Sequence, residues 1–215
     1  MERRRLSRVD ELRDTRDASY AERLETLSGA GWKRWLDVQA PYRFNLRRLA
    51  LGRTLDVGCG IGRNLAHLGG NGVGIDHNAS AVEGARRRGL TAFVPEEFVA
   101  SEEAREASFD ALLCAHVVEH MRLDEAIALI GSHLRYVRPG GRVVLIAPQD
   151  AGFRADPTHV EFMEFAKLHS LLEAHGVAPE RSYSFPFPRF VGHLFPHNEF
   201  VVVGRVPQTE KRPAA

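Results

Sequence analysis

The sequence predicts an α/β protein built on a mostly parallel sheet with helices on both faces. Five short apolar runs rich in β-branched residues recur between residues 53 and 147, and amphipathic segments separate them. Alternation of this kind is typical of a parallel sheet. Two further β-rich runs follow residue 180 with no convincing helix between them. They predict an antiparallel pair at one edge of the sheet.

The chain divides into three zones. Residues 1–51 are charged and helix-prone, and we expect an N-terminal helical extension there. Residues 52–206 carry the strand and helix alternation and form the main domain. Residues 207–215 are polar and contain proline, which predicts a loose tail.

Composition excludes several classes of protein. The chain has 215 residues, 44% of them hydrophobic, which suits one domain with a substantial core. A net charge of +1 argues against a broad nucleic-acid surface. We find no apolar run long enough to cross a bilayer, and the basic start lacks the apolar region of a signal peptide. Two cysteines are too few for a disulfide framework. We expect a soluble, cytoplasmic protein.

Seven strands and one clear helix are predicted in chain order. In residues 122–137 an apolar residue recurs in steps of four and three, which is one face of a helix that Pro139-Gly140-Gly141 should stop. Pro186 and Pro188 place the sixth strand at an edge. The predicted strands are RTLDV (53–57), GVGID (72–76), TAFV (91–94), FDALLC (109–114), RVVLIA (142–147), RSYSFPF (181–187) and EFVVVGRV (199–206).

The stretch TLDVGCGIG places a glycine-rich turn at the carboxyl end of the first strand, where open α/β sheets bind ligands. Gly58 and Gly60 let a ligand approach the backbone closely, and a helix should begin near Ile61. The spacing is G-x-G-x-G, whereas the dinucleotide fingerprint is G-x-G-x-x-G. Asp56 would repel a pyrophosphate and favours a cation such as an ammonium or sulfonium group. A nicotinamide dehydrogenase is the rival interpretation.

Asp76 is the second marker of a nucleoside site. It ends the second predicted strand, 20 residues after Asp56, where an acid accepts hydrogen bonds from ribose hydroxyls. Its alternative role is a helix cap, which Asn78 or Ser80 could supply instead.

Four stretches together resemble the class I S-adenosylmethionine-dependent methyltransferases: LDVGCGIGRNL, GVGIDHN, SFDALLCAHVVEHM and LRYVRPGGRVVLIAP, in family order. The resemblance implies a Rossmann-like sheet of seven strands with the last antiparallel, and S-adenosylmethionine as cofactor. It places Asp56 and the turn along the methionine part, Asp76 on the ribose, and His77, Glu96 or Glu97, and Phe98 around the adenine. Tyr42 would belong to a lid helix. The implied cofactor site is Tyr42, Asp56, Gly58, Cys59, Gly60, Asp76, His77, Glu97 and Phe98.

A histidine–glutamate cluster, CAHVVEHM, follows the fourth predicted strand. His116, Glu119 and His120 fall at i, i+3 and i+4, so a helical turn would project all three from one face. One interpretation is a divalent-metal site, with Mg²⁺ held by Glu119, His120 and Asp156, because related ubiquinone-pathway enzymes carry a similar E-x-x-E-H stretch. The other is family architecture, since "EH" is frequent in members without a known metal. By resemblance, His116 lines the acceptor pocket, where it is a candidate general base.

The loop after the fifth predicted strand adds polar groups to the acceptor side. DPTHVEF resembles a stretch of bacterial methyltransferases that act on sugars and glycans. Asp156-Pro157-Thr158 also predicts a helix start, which would place His159 in a first helical turn and favour a neutral base. His159 therefore rivals His116 as the general base, with Glu119 as a third catalytic candidate.

These observations predict an O-methyltransferase that acts on a hydroxyl of a small polar molecule, with a sugar or short glycan such as a methylmannose-type oligosaccharide favoured. A hydroxyl needs a base or a metal to lose its proton, and the histidines and acids fit that need. One alternative acceptor is a phenolic or polyketide hydroxyl. A non-catalytic S-adenosylmethionine-binding module is the alternative of another class. We expect no nucleic-acid or membrane partner, and a homodimer is an open alternative.

Overall fold

A computed structural model describes Asp37 and residues 39–208. Of the helical extension predicted for residues 1–51, Asp37 and residues 39–51 are described, and they contain α1 (Ala40–Arg48). The rest of that prediction lies outside the described residues. Residues 209–215 of the predicted tail lie outside the described residues. Of the helices within the described ranges, none is long and apolar enough to cross a membrane.

The remaining elements alternate as predicted, with two short 3-10 turns at Val118–His120 and Arg189–His193. In chain order they are β1 (Thr54–Val57), α2 (Arg63–His67), β2 (Gly72–Ile75), α3 (Ala79–Arg87), β3 (Ala92–Phe93), α4 (Pro95–Ala100), β4 (Phe109–Ala115), α5 (Leu123–Leu134), β5 (Val137–Pro148), α6 (Asp150–Ala155), α7 (Phe165–Glu173), β6 (Ala178–Phe185) and β7 (Glu199–Arg205).

The seven strands form one sheet in the order β3-β2-β1-β4-β5-β7-β6. The first five run parallel to one another, and β7 is antiparallel to both of its neighbours, β5 and β6. This confirms the predicted Rossmann-like sheet and the antiparallel pair at one edge. The start of β7 therefore lies at the same edge of the sheet as the carboxyl ends of the parallel strands.

Apolar side chains cover both faces of the sheet. Along β4, Leu112 and Cys114 belong to the cluster that α5 and α7 complete, whereas Leu113 and Ala115 belong to a second cluster that includes Leu46 of α1. This alternation is expected for a strand buried on both faces. It also places α1 against the sheet face on which Leu113 of β4, Val144 of β5 and Val201 of β7 lie.

The end of α5 differs from the prediction. The helix ends at Leu134, and Pro139-Gly140-Gly141 lies within β5 rather than acting as a helix stop. Val137 already pairs with Phe109 of β4, and the ring of Tyr136 packs edge-on against Phe98. Strand pairing and this aromatic contact therefore end the helix before the proline is reached.

Ile130 tests the predicted inner face of α5. It is fully buried among the residues of the larger cluster, so Ile130→Ala should lower the free energy of unfolding by about 2–4 kcal/mol through lost contacts and a cavity. Ser132→Ala, on the exposed side of the same helix, should change it by less than about 0.5 kcal/mol. Urea unfolding followed by circular dichroism measures both. Equal effects of the two substitutions would show that this face is not buried.

Candidate active site

The turn after β1 has three glycines in left-handed conformations. Gly58, Gly60 and Gly62 have φ values of 76°, 53° and 77°, which side-chain-bearing residues rarely adopt. A Cβ atom on Gly58 would lie 2.1 Å from Cγ2 of Val117, so this position cannot carry a side chain without displacing the loop after β4. Gly62 caps α2, and the helix begins at Arg63 rather than near Ile61.

Asp76 connects the end of β2 to this turn. Its Oδ2 accepts a hydrogen bond from the Gly60 amide at 2.7 Å, and its Oδ1 accepts one from the Asn78 amide at 2.8 Å. The helix cap of α3 is instead Asn78, whose side chain accepts from the Ala81 amide. A carboxylate oxygen has further acceptor capacity, so Asp76 can still receive hydroxyl groups. His77, beside it, is half exposed.

Asp56 is a buried acid at the end of β1. Its exposed fraction is 0%, and among the described residues neither carboxylate oxygen has a hydrogen-bond partner. Burial, with a smaller contribution from the charge of Asp76, raises the pKa of Asp56 to about 7. The nearby Asn64 amide opposes this shift, but its geometry completes a hydrogen bond to neither oxygen. An unpartnered buried acid fits the arrival of a cation, as the resemblance to S-adenosylmethionine enzymes requires.

The predicted adenine contacts are only partly available. Glu97 pairs with Arg86 and is half exposed. Phe98 is 1% exposed and packs against Phe93 and Tyr136, with ring centroids 6.3 Å and 5.0 Å away. Phe98 therefore cannot offer a ring face to an adenine, because a short helix turns it into the core. The role predicted for it is corrected to core packing.

Cys59 contributes its backbone to the turn and not its thiol. The side chain is 5% exposed and packs with Leu65, Val82 and Ala85. Burial raises the pKa of the thiol well above its ordinary value, so the neutral form is maintained. Any contact of Cys59 with a ligand in the crevice is therefore expected through the main chain.

Helix α1 is anchored beside the cavity that contains His116. The Tyr42 hydroxyl donates to the carbonyl of His197 at 2.6 Å, and its ring packs edge-on against Phe185. Asn45 is buried and accepts a hydrogen bond from the Tyr183 hydroxyl at 2.8 Å. These contacts join α1 to β6 and to the connection before β7. Tyr42 and Asn45 both line the cavity that contains His116.

His116 stands between two carboxylates directly after β4. Its Nε2 lies 2.8 Å from Oε1 of Glu199, and its Nδ1 lies 3.4 Å from Oε1 of Glu119. The second contact is an ion pair rather than a completed hydrogen bond. Partial burial would lower the pKa of His116, but the two acids outweigh it and raise the pKa to about 10.

Glu199 was missed by the sequence analysis. It opens β7, where it pairs with Pro148 at the end of β5. Its carbonyl accepts from the Gln149 side chain at 2.9 Å, and Gln149 is in turn bonded to Asn198, so the position is fixed by buried amides. A signal for Glu199 was available in the sequence, because it is a charged residue at the start of an apolar run predicted to be an antiparallel strand. An antiparallel strand begins at the edge of the sheet where the parallel strands end.

The loop after β5 does not start a helix at Asp156-Pro157-Thr158, and this prediction is wrong. Asp156 instead accepts hydrogen bonds from the Thr158 amide and hydroxyl, at 2.9 Å and 2.7 Å, and α7 begins only at Phe165. Local side-chain-to-backbone bonding of this kind closes a turn as readily as it caps a helix. His159 is therefore outside any helical turn, and the dipole argument for its basicity does not apply.

Two of the three predicted metal ligands, Glu119 and His120, lie together, and His159 takes the place predicted for Asp156. Ligand atoms of Glu119, His120 and His159 lie within 4.8 Å of one another. Asp156 is not in this group. It reaches His120 only through Thr158, whose hydroxyl lies 3.1 Å from Nδ1 of His120. Glu119 thus links two groups: it lies with His120 and His159 on one side and 3.4 Å from His116 on the other. Asp156 contacts this group through Thr158.

Comparison with known proteins agrees with this architecture. A family model described as "Methyltransferase domain" matches residues 19–203. No curated protein matches the chain.

Solved structures share the fold at low sequence identity. Magnesium protoporphyrin IX methyltransferase from Synechocystis PCC 6803, with bound S-adenosylmethionine, has a TM-score of 0.64 and 15% identity, covering 95% of this chain and 100% of that one. A TehB-like SAM-dependent methyltransferase from Corynebacterium glutamicum has a TM-score of 0.61 and 19% identity, with coverages of 86% and 95%. A SAM-dependent methyltransferase from Archaeoglobus fulgidus has a TM-score of 0.58 and 17% identity, with coverages of 76% and 92%.

The buried charge of Asp56 gives a prediction for stability. Its pKa is raised in the folded state, so the wild type loses stability as the pH rises from about 4 to about 7, while the unfolded chain ionises first. Asp56→Asn removes this penalty and should raise the free energy of unfolding at pH 8 by up to about 4 kcal/mol, with little gain near pH 4. Urea unfolding at both pH values measures the difference.

Asp110→Asn is the matched control with the opposite sign. A hydrogen bond from Arg138 holds the pKa of Asp110 below its ordinary value, with the Arg53 amide contributing. Its stabilising contribution is therefore present at pH 8 and lost in acid, so the Asn variant should be less stable than wild type at pH 8. A stability of Asp56→Asn that falls at pH 8 would contradict the assignment of an unpaired buried charge.

Proposed function

Because this chain belongs to the methyltransferase-domain family, we propose that it is an S-adenosylmethionine-dependent enzyme that methylates a hydroxyl group of a small polar acceptor. The observation that carries the proposal is a cavity next to the glycine turn whose lining includes several hydrogen-bonding side chains. Four polar side chains from four different elements face it, together with Tyr42: Asn45 of α1, Asn64 of α2, His116 after β4 and Glu199 of β7.

The crevice at the glycine turn suits the cofactor. Asp56 offers a buried acid for a cationic group, and the turn at Gly58 and Gly60 leaves the backbone open. Asp76 is oriented by two amides and retains acceptor capacity for ribose hydroxyls, with His77 at the rim. When bound, S-adenosylmethionine supplies a methyl group on a positively charged sulfur, which an acceptor oxygen can attack.

The cofactor crevice and the acceptor cavity are neighbours. Asn64 lines the cavity and also lies near Asp56, since its amide influences the pKa of that acid. Leu46, Ala115 and Ile146 supply the apolar part of the lining. A hydroxylated molecule in this cavity would be held close to the turn, and positioning alone supplies much of the rate of a bimolecular transfer.

We assign the role of proton acceptor to Glu199 rather than to His116. Both ring nitrogens of His116 face carboxylates, so neither presents a free lone pair to an incoming hydroxyl. Glu199 lines the cavity and is held by Gln149 from behind. The carboxylate takes the hydroxyl proton as the oxygen becomes nucleophilic, and His116 orients and balances its charge.

The hydrogen-bonding side chains of the lining favour a sugar or short glycan as the acceptor. Tyr42 is the only aromatic residue among the residues that line this cavity, whereas a flat phenolic acceptor would favour several. The second candidate, a phenolic or polyketide hydroxyl, has one observation in its favour. Phe187, Phe190 and Leu194 are exposed on the connection that leads from β6 to Glu199, where they could contact an apolar portion of the acceptor.

Glu199→Gln tests the proposed base. Turnover should fall by about a hundredfold, because a general base typically contributes 10²–10⁴ in rate, while the affinity for S-adenosylhomocysteine stays within about twofold. The assay follows methyl transfer to a panel of sugars, short glycans and phenols. His169→Gln, which loses a hydrogen bond to Ser182 on the exposed surface, is the matched control and should retain activity.

The same panel separates the alternatives. Transfer only to phenols would replace the sugar acceptor, and binding of S-adenosylhomocysteine without any transfer would favour the non-catalytic module. Turnover of Glu199→Gln equal to wild type would overturn the base assignment.

Asp56→Asn tests the cofactor site. Loss of a charged partner should weaken S-adenosylhomocysteine binding by about tenfold to a hundredfold, since hydrogen bonds to charged groups contribute about 1.5–3 kcal/mol. Wild-type affinity should also rise between pH 6 and pH 8, because Asp56 ionises near pH 7. Calorimetric titration measures both. Asp110→Asn, at the opposite edge of the sheet, should bind as wild type does; preferential binding of NADH would end the methyltransferase proposal.

A further inference from the structure

Two histidines near the acceptor cavity share an arrangement that the proposed reaction does not use. His120 follows β4 in the 3-10 turn, and His159 lies in the loop after α6. Their rings are edge-to-face, with centroids 4.8 Å apart. Both residues are half-buried, so the ring atoms not facing protein remain within reach of solvent.

Each imidazole is oriented through the same nitrogen. Nδ1 of His159 lies 2.9 Å from the carbonyl of Phe153, and the His159 ring stacks on the Phe153 ring. Nδ1 of His120 lies 3.3 Å from the carbonyl of Thr158. A carbonyl cannot donate, so these contacts favour a proton on Nδ1 and a free lone pair on Nε2 of each ring. Metal-binding histidines are commonly oriented by such a hydrogen bond to a backbone carbonyl.

Glu119 completes the group with an acid that lacks hydrogen bonds. It is 0% exposed, and neither of its carboxylate oxygens has a hydrogen-bond partner within the described part of the chain. An ionised carboxylate in such a place is costly unless a cation accompanies it. His116 approaches one oxygen at 3.4 Å, which leaves the side toward His120 and His159 without a counter-charge.

We propose that Glu119, His120 and His159 bind a divalent transition-metal ion, with Zn²⁺ as the best match. Two imidazole nitrogens and one carboxylate form a three-ligand set that leaves a further position for water or for an acceptor oxygen. Ligands about 2.1 Å from a tetrahedral ion lie about 3.4 Å apart. Because the candidate atoms span up to 4.8 Å, the side chains must close by a little over about 1 Å.

This donor set differs from the Mg²⁺ site predicted from the sequence. Mg²⁺ prefers an octahedral shell of oxygen ligands and keeps several waters, so two imidazoles are a poor match for it. Asp156 is not among the three grouped residues. Its Oδ1 accepts a hydrogen bond from the Thr158 hydroxyl, which also contacts His120. It would position His120 rather than touch the ion.

The ion would also join two loops. The amides of Val160 and Glu161 already donate to the carbonyl of Glu119, at 2.8 Å and 3.2 Å. Residue 159 is thereby held against the turn that carries Glu119 and His120. Binding should stabilise this junction whether or not an acceptor is present, so the site can be tested apart from the methyl-transfer reaction.

The test uses the full chain after removal of metal by chelation. Titration with Co²⁺ should show one ion per chain, visible absorption bands of cobalt with mixed nitrogen and oxygen ligands, and competition by Zn²⁺ but not by millimolar Mg²⁺. Zn²⁺ should raise the melting temperature of the wild type. His159→Gln and His120→Gln should each abolish the bands and the thermal shift while circular dichroism stays native.

Two control variants make the result specific. His169→Gln should bind Co²⁺ as the wild type does, and Asp156→Asn should keep one ion per chain with affinity lowered about tenfold to a hundredfold. Absence of Co²⁺ binding by the wild type would overturn the proposal. So would bands that survive both histidine substitutions, because the Co²⁺ ion would then be held by other residues. The affinity for S-adenosylhomocysteine, measured in parallel, reports separately on the proposed cofactor site.

Discussion

The parallel pairing of β1 with neighbours on both sides is the constraint on which the site depends. Asp56 is in register with Gly74 of β2 and Leu113 of β4, so three strands end at one level and three loops leave the sheet together. The glycine turn can be tight only because Val117 and the Asp76 carboxylate close around it. Each loop is therefore shaped by the two beside it, and a side chain added at Gly58 would disturb more than its own turn.

Buried acids dominate the chemistry of this edge. Asp56 and Glu119 are both fully buried and lack hydrogen bonds among the described residues, while Glu199 is satisfied by His116. A protein selected only for stability would replace the first two by apolar groups, since unpartnered buried charge opposes folding. Their position at the carboxyl edge of the sheet favours positive charge supplied from outside the chain, in addition to the His116 imidazole that already approaches Glu119 at 3.4 Å.

Sequence reasoning succeeded where the signal is local. The glycine spacing, Asp76 at a strand end and the antiparallel final strand all follow from short patterns. It failed where the answer depends on tertiary contacts. Apolar residues in steps of four and three continue to Val137, so the pattern could not show that Tyr136 and Val137 lie beyond the end of α5 and that Val137 joins the sheet. Asp156-Pro157-Thr158 misled because an Asx turn and a helix cap use the same hydrogen bonds. Glu199 and the grouping of His159 with Glu119 required the strand order and the loop path, which no single stretch encodes.

The antiparallel pairing of β7 with β5 fixes the position of Glu199. Glu199 is placed by its register with Pro148 and by the Gln149 side chain, against which Gly192 of the preceding segment packs closely. That connection carries the exposed side chains of Phe190 and Leu194. These exposed side chains can therefore diverge among descendants of one ancestor while Glu199, the proposed proton acceptor, keeps its place, which would leave the range of acceptors open to evolution.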